Sequence, residues 1–177
     1  MDKQLEPIFD LLEKQRSQFI EQLKNCPPGL LNRKVAADQW SPNQVIQHLI
    51  LAESLSLKSV QAKLVKGNFQ KGGFTSTLRN FLLRIFLRSP LKFKAPVKVS
   101  VFPEELHFNK LCAEWELVRR QWKVMLEEIP PNLLGMYLFK HPAVGKMLIK
   151  DGLWFIYEHV RRHQLQVLKS INTDENI

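Results

Sequence analysis

The amino-acid sequence predicts an all-α protein built on a bundle of four long helices. Four segments carry apolar residues at the spacing of about 3.6 residues that places them on one face of a helix. Glycine is sparse, with 7 in 177 residues, and the β-branched residues do not group into alternating strands. Clusters of proline and glycine separate the four segments, as expected for helix ends and connecting loops.

The first helix is predicted from about Pro7 to Lys24, because a proline early in a helix costs no hydrogen bond. The run Cys26-Pro-Pro-Gly ends it. Its inward-facing stripe is predicted to contain Ile8, Leu11, Leu12, Gln15, Phe19 and Leu23.

The second helix has the strongest start signal in the chain. Ser41 is expected to cap it, Pro42 to occupy its first position and Gln44 to complete a capping box. Trp40, just before the cap, is expected to pack on the helix as part of a hydrophobic staple. One face of this helix then carries Val45, His48, Leu51, Ala52, Leu55, Ser59 and Ala62.

The third helix is predicted to start after Phe102-Pro-Glu and to reach about Glu128, where two prolines stop it. Its aromatic residues are expected to belong to the core. The segment Leu138–Lys146 is predicted to be a loop in which His141 is exposed or locally bonded. The residues that recur at helical spacing in the third helix are Phe108, Leu111, Cys112, Trp115, Val118, Trp122, Met125 and Ile129.

The fourth helix is predicted from about Leu148 to Ile171. Apolar residues also occur on its far side, at Trp154, Leu165 and Leu168. A helix that is apolar on two sides is expected to be covered on both, here by the basic segment between the second and third helices or by a second subunit.

Composition indicates a soluble globular protein, with 45% apolar and 24% charged residues, and we expect one domain over residues 1–177. No apolar signal segment stands at the N-terminus, and no apolar run approaches the roughly 18 residues that span a bilayer. Cys26 and Cys112 have no disulfide-framework spacing, so both are expected to be reduced thiols in a cytoplasmic protein.

The net charge of +9 comes from one part of the chain. Between Ser54 and Pro103 there are ten lysines and arginines and no acidic residue, whereas the rest has 16 basic and 17 acidic residues. Residues 66–100 are therefore predicted to be a basic insert, with a short helix over Thr75–Arg88. The insert is expected to pack over the bundle as a lid; the alternative is a basic amphipathic helix that rests on a membrane surface or on phosphates. No recognised DNA-reading motif occurs, so no specific nucleic-acid partner is expected.

Two histidines on the fourth helix indicate a metal site. His159 and His163 are four residues apart, which places both on the face that a bundle helix turns inward. His48 stands in the middle of the apolar stripe of the second helix. Three inward imidazoles with an open position would form a catalytic type of metal site, and imidazole suits zinc, nickel or iron(II).

The residues leave alternatives open at this point. The three histidines could be separately hydrogen-bonded core residues, or their alignment could be accidental. Glu53 and Glu158 lie well round their helices from the histidines and are not expected to be ligands. Ala52 and Gly152 could leave a cavity beside a metal, or Gly152 could only allow close packing.

Three stretches carry a family resemblance when taken together. They are Trp40-Ser-Pro…Gln47-His48-Leu49…Glu53, then Lys94-Ala-Pro-Val-Lys-Val…Pro103, and then His141-Pro…Gly145-Lys…His159-Val-Arg-Arg-His163-Gln-Leu-Gln166. In these motifs and their order, over nearly the whole chain, the sequence resembles the DinB-like (YfiT-like) superfamily of metalloenzymes.

The resemblance implies an up-down-down-up four-helix bundle with a long crossover between the second and third helices. It implies that His48, His159 and His163 are the metal ligands, and that the protein is a homodimer, as members often are. One departure is Leu148, where such proteins often carry Thr or Ser at the start of the last helix. Asp151 stands at the third helical position, and loss of a capping hydroxyl costs about 1 kcal/mol.

Relatives of this kind include enzymes that use low-molecular-weight thiols, such as bacillithiol S-transferases and mycothiol-dependent maleylpyruvate isomerases. The resemblance therefore implies a metal-dependent transferase of a small-molecule substrate, with a thiol as co-reactant. The residues do not identify catalytic groups other than the three metal ligands. Two alternatives are a metal-dependent hydrolase at the same site and a non-catalytic stress or binding protein that works through the basic insert.

Overall fold

A computed structural model of the protein describes residues 1–34, 36, 39–73, 99–103, 105–141 and 144–174. Within these ranges the chain forms helices and one antiparallel hairpin. The helices are α1 (Glu6–Lys24), α2 (Pro28–Leu31), α3 (Pro42–Lys66), α4 (Phe108–Glu128) and α5 (Ile149–Asp174), with a 3-10 turn at Pro131–Leu133. The hairpin strands are β1 (Tyr137–His141) and β2 (Gly145–Leu148).

Helices α1 and α5 pack side by side and run in the same direction. The Gln15 side chain donates to the Tyr157 carbonyl over 3.2 Å, and seven residues later the Gln164 side chain donates to Gln22 over 2.8 Å. Because residue numbers rise together along both helices, the pair is parallel.

Helices α3 and α4 form a second parallel pair. Asn43, near the start of α3, donates to the Leu106 carbonyl just before α4. Further along both chains, Glu53 accepts two hydrogen bonds from Arg119.

The two pairs run in opposite directions. Arg16 of α1 forms an ion pair with Glu116 of α4, whereas Glu13, one turn earlier in α1, meets Arg119, one turn later in α4. These directions agree with the up-down-down-up order that the resemblance implies. The four long helices form a bundle whose core includes large aromatic residues, for example Phe19 edge-on to Trp115.

The capping box predicted for α3 is present. The Ser41 side chain accepts from the Gln44 amide N–H, and the Ser41 N–H donates to the Gln44 side chain, with Pro42 at the first helical position. The chain leaves α3 at Gly67, whose φ of 64° is left-handed and therefore suits glycine.

The prediction of a loop over Leu138–Lys146 is wrong in its larger part: Leu138–His141 lie in β1, and Gly145 and Lys146 lie in β2. Phe139 pairs with Met147 across the two strands, and both side chains are buried. Gly145, with φ 79°, begins β2 and lets the chain turn back within a few residues. The strands are too short to show a clear alternation in the sequence, which is why their burial against α3 and α5 was not visible there.

The inward stripe predicted for α1 is confirmed except at Leu11, which is 41% exposed. Leu11 lies at the edge of the stripe, about 100° round the helix from Leu12. The predicted Thr75–Arg88 helix and most of the long crossover lie outside the described residues and stay predictions. Among the described helices, none is both long and apolar enough to cross a bilayer.

Candidate metal centre

His48 lies two turns into α3, behind the capped end of that helix. The cap fixes where the helix begins, because Ser41 and Gln44 satisfy amide groups that the first turn leaves unpaired. The His48 side chain is buried, with 4% of its surface exposed. The capped start of α3 therefore holds this imidazole in the interior of the bundle.

His159 and His163 extend from consecutive turns of α5 towards His48. Both are half-buried rather than buried. The ring centroids of all three histidines lie 4.8–5.1 Å apart. The structure thus brings the three predicted residues into one cluster, closed on the side of α3 and accessible on the side of α5.

One ring nitrogen from each histidine faces the same small volume. The three candidate ligand atoms all lie within 4.8 Å of one another, and Nε2 of His48 is 3.2 Å from Nε2 of His159. Among the described residues, this is the group of three or more potential ligands that could hold a metal ion.

Two of the rings are held by hydrogen bonds from their other nitrogen. Nδ1 of His48 donates to the Val99 carbonyl over 2.8 Å, and Nδ1 of His163 donates to the Gln166 side-chain oxygen over 3.1 Å. Because a carbonyl only accepts, the proton of each neutral ring is on Nδ1. Nε2 of each ring is left with a lone pair that can bind a cation, as in metal sites where outer partners orient histidine ligands.

The imidazoles are held neutral, which is the form that binds metals. Burial lowers the pKa of His48, partly offset by its hydrogen bond to Val99. Burial, together with the neighbouring histidines, lowers the pKa of His159 well below its usual value. Burial also lowers the pKa of His163 to about 3, with His48 adding to the effect.

The spacing of His48 and His159 fits a single shared cation. Two nitrogens bound to one zinc ion at about 2.0–2.1 Å lie roughly 2.8–3.4 Å apart when the angle between them is octahedral to tetrahedral. The 3.2 Å between the two Nε2 atoms of His48 and His159 falls in this range. Three neutral nitrogens without a carboxylate favour a transition metal or zinc over magnesium or calcium.

Aromatic side chains surround the three histidines. The Trp40 ring lies 4.9 Å from the His48 ring and stacks on His163 at 6.3 Å, and Phe102 meets Trp40 edge-on. On the other side, Phe155 stacks on His159 at 5.5 Å. These rings form apolar walls that limit the access of water to the cluster.

The carboxylates Glu53 and Glu158 are not in the cluster, in agreement with the sequence prediction. Glu53 is buried and pairs with Arg119 and Trp115 of α4. Glu158 is buried on another face of α5, with Arg161 at 3.8 Å.

His141 is the last residue of β1. The sequence predicted that it is either exposed or locally bonded, and it is locally bonded. Its Nδ1 accepts the Val144 N–H over 3.2 Å, and its ring lies 4.4 Å from Phe155. Burial lowers its pKa to about 4. His141 thus stands behind the Phe155 wall and outside the metal cluster.

Sequence reasoning missed the groups that orient the ligands. Gln166 entered the sequence analysis only as the end of a family motif, although its spacing of three residues from His163 is a usable signal. Trp40 was assigned only to helix packing. Nothing in the sequence indicated the role of the Val99 carbonyl. Every residue has a backbone carbonyl, and only the path of the chain brings this carbonyl to His48.

Comparisons with known proteins agree on one family. A sequence model described as the DinB superfamily matches residues 11–167. An uncharacterized protein from Bacillus subtilis, YuaE, is similar over 159 residues at 20% identity, which covers 90% of this chain and 94% of YuaE.

A solved structure is similar over nearly the whole chain. It is YfiT from Bacillus subtilis, described as a probable metal-dependent hydrolase with an unusual four-helix bundle topology. The TM-score is 0.59 at 11% sequence identity, and the match covers 99% of this chain and 90% of YfiT. At this identity the likeness supports the four-helix bundle fold.

Proposed function

The chain belongs to the DinB superfamily, and from this premise we propose that it is a metal-dependent enzyme whose cation is held by His48, His159 and His163. One observation carries the proposal: Nε2 of His48 and Nε2 of His159 are 3.2 Å apart in a cluster of three neutral imidazoles. The hydrogen bond of His48 to Val99 leaves its Nε2 as a bare lone pair, which needs either an N–H from His159 or a shared cation. The family and the third histidine favour the cation.

The bound ion would be zinc, nickel or iron(II), all of which accept imidazole nitrogen. Three protein ligands leave at least one coordination position open, as in catalytic rather than structural sites. When bound, such an ion lowers the pKa of a thiol or water at its open position and so supplies a nucleophile near neutral pH.

The chain's own residues orient and enclose that position. Val99 and Gln166 hold two of the rings so that Nε2 faces inward. Trp40 and Phe155 flank the cluster on two sides and exclude water. The half-buried side, at His159 and His163, is where a small-molecule substrate would enter.

The proposed reaction is a thiol-dependent transfer. The sulfur of a low-molecular-weight thiol would form a bond to an electrophilic carbon of the substrate as the leaving group departs and the thiol proton passes to solvent. The support for this choice is the resemblance to thiol-using members of the family.

Hydrolysis is the second candidate, with water in place of the thiol. YfiT, which has the same fold, is described as a probable metal-dependent hydrolase, and this description favours hydrolysis. Both reactions use the same three ligands, so the discriminating observation is whether turnover requires an added thiol.

Elemental analysis of the purified protein tests the metal site. We expect about one divalent cation per chain in the wild-type protein after reconstitution, and none in His159→Ala/His163→Ala. His107→Ala is the matched control, because His107 is an exposed histidine at the start of α4. Equal metal content in the wild type and the double variant would overturn the proposal.

Turnover of an activated aryl ester and of an aryl halide, each with and without a low-molecular-weight thiol, separates the two reactions. We expect turnover of the halide only with thiol present, and its loss in His163→Ala but not in His107→Ala. Ester turnover without any thiol, with the same dependence on His163, would instead support hydrolysis. Activity that survives loss of the metal would contradict both.

A further inference from the structure

We propose that a second cleft, between α3 and the hairpin, binds a small organic phosphate that carries more than one negative charge. The cleft has a volume of about 340 Å³. It involves none of the three histidines, so this inference goes beyond the metal-dependent activity and does not depend on it.

Four lysines from three elements line the cleft. Lys63 and Lys66 extend from the last two turns of α3, Lys140 from β1 and Lys146 from β2. The lining residues of α3 follow helical spacing and are Ser59, Ala62, Lys63 and Lys66. The fold therefore brings together charges that are more than seventy residues apart in the sequence.

No acidic residue lines the cleft, and the sequence explains why. The stretches 54–103 and 129–150, which supply all of the lining residues, contain no Asp or Glu. The ion pairs within the described ranges involve other basic residues and not these four lysines. Four like charges around one concave surface raise the local positive potential, which an anion would relieve.

Two of the lysines are held by neutral acceptors. Lys146 donates to the Gln70 side-chain oxygen over 2.5 Å, and Lys63 donates to the Asn68 carbonyl. These bonds position the ammonium groups without neutralising them. Because an ammonium has three N–H donors, each retains two for a ligand.

Apart from Ser59 and Gln70, the rest of the lining is apolar, and hydrogen bonds hold part of it in place. Tyr137, Leu138 and Phe139 contribute to it, and the Tyr137 hydroxyl accepts the Gly73 N–H over 2.8 Å. The backbone of Gln70 also accepts from the Tyr137 N–H, which ties the segment after α3 to β1. These residues form an apolar floor beside four ammonium groups, which suits a molecule with a flat organic part and a compact polyanion. The volume is that of small-molecule sites, roughly 300–1,000 Å³.

The cleft is separate from the metal centre. Ser59 follows His48 by eleven residues in the sequence, which is about 16 Å along α3. In β1, His141 contacts Phe155 of α5, whereas the preceding Lys140 lines the cleft. The lining of the cleft includes none of the three histidines and neither of the rings, Trp40 and Phe155, that flank them.

Isothermal titration calorimetry with pyrophosphate and with ADP tests the proposal. We expect both to bind the wild-type protein at low ionic strength, ADP more tightly because its base and ribose use the apolar floor. Lys66→Gln/Lys140→Gln should weaken both by about tenfold or more, since it removes two charge-assisted contacts. Lys14→Gln/Lys123→Gln, at exposed positions of α1 and α4, removes the same charge and should leave both affinities within about twofold, because these sites are distant from the cleft.

Each contrary outcome has a distinct meaning. Absence of binding of either probe, or equal weakening by the cleft and control variants, would overturn the proposal. Loss of binding in His163→Ala with retention in the cleft variant would place the phosphate at the metal centre and overturn it as well. Equal affinities for pyrophosphate and ADP would overturn the inference that the ligand has an organic part bound by the apolar residues. If elemental analysis finds no bound metal but ADP still binds and depends on the lysines, the cleft proposal holds and the proposed metal-dependent activity fails.

Discussion

Arg119 and Glu53 form a buried ion pair at the middle of the bundle. Arg119 donates to both carboxylate oxygens of Glu53, over 2.6 and 2.8 Å, and the Trp115 indole N–H donates to one of them. Both charged side chains are at most 3% exposed. In such surroundings, removal of one partner leaves an uncompensated charge, which costs more than the intact pair contributes.

Arg119→Ala is therefore expected to lower the free energy of unfolding by about 3–5 kcal/mol. Denaturant unfolding measures it. The control is Arg120→Ala, which removes an exposed partner of Glu116 and should cost no more than about 1 kcal/mol.

The charge-neutral double variant Glu53→Gln/Arg119→Met gives a sharper comparison. It removes the charge of both residues, so it should be more stable than Arg119→Ala alone. A double variant that is less stable than the single one would contradict the uncompensated-charge explanation.

Histidine burial predicts the pH dependence of the metal-free protein. Burial lowers the pKa of His163 to about 3 and that of His141 to about 4 in the folded state, against about 6.5 in the unfolded chain. Between these values the unfolded chain binds more protons, so stability rises with pH and is lost on acidification from about pH 7 towards pH 4.

Unfolding curves of chelator-treated protein at a series of pH values measure this slope. Each such histidine contributes up to about 1.4 kcal/mol per pH unit, so His163→Ala and His141→Gln should each flatten the curve. His107→Ala is the control. Identical slopes in all four proteins would contradict the assignment of acid sensitivity to His163 and His141.

At the scale of elements, α5 and the hairpin meet through Gly152. A Cβ atom at this position would lie 2.3 Å from Cδ2 of Phe139 in β1. Of the two roles that the sequence left open for Gly152, the structure thus supports close packing rather than a cavity beside the metal. This contact sets the distance between β1 and the helix that carries two of the histidines.

Gly152→Ala is expected to destabilise the protein by about 1–3 kcal/mol, although alanine is the better helix former, because Phe139 must shift. Thermal or denaturant unfolding measures the change. In Gly29→Ala the added Cβ meets no atom within 4 Å, so that variant should be neutral or slightly stabilising. If Gly152→Ala has the free energy of unfolding of the wild type, the hairpin can move away from the added Cβ without loss of stability, which contradicts the prediction.

At the scale of the whole molecule, the histidine cluster joins the two helix pairs. His48 belongs to the α3–α4 pair, while His159 and His163 belong to the α1–α5 pair. A shared cation would therefore link the two halves of the bundle, and its binding energy would add to the stability of the fold.

Metal removal is accordingly expected to lower the melting temperature of the wild-type protein. At a free metal concentration of about a hundred times Kd, binding adds about 2.7 kcal/mol to the free energy of unfolding. Calorimetry with and without chelator measures the shift. The His159→Ala/His163→Ala variant should show none, and a shift of equal size in that variant would indicate metal binding elsewhere.

The expected homodimer also stays a prediction at this scale. On α5, Leu165 is 54% exposed and Trp154 is half-buried, so the far side of the helix retains apolar surface. Sedimentation at several concentrations should show a dimer in the wild type and a monomer in Leu165→Glu. A wild-type protein that sediments as a monomer throughout would contradict it.

The sequence by itself determined the features that depend on neighbours along the chain. Helical periodicity located the four long helices, and the Ser41–Gln44 pattern located the start of α3, because capping is decided within one turn. The i, i+4 spacing of His159 and His163, with His48 on an inward stripe, indicated which three histidines could meet, and the family resemblance supported the same set. A regular helix carries its side-chain directions with it, so these outcomes follow from local rules.

Only the tertiary structure decided the features that depend on where distant segments meet. The hairpin replaced a predicted loop because burial of Phe139 and Met147 between α3 and α5 stabilises strands that are too short to be recognised alone. The Val99 carbonyl reaches His48 from outside the helices, and four lysines reach one cleft from three elements. Such contacts arise from the path of the whole chain in the packed fold, and no local pattern in the sequence encodes them.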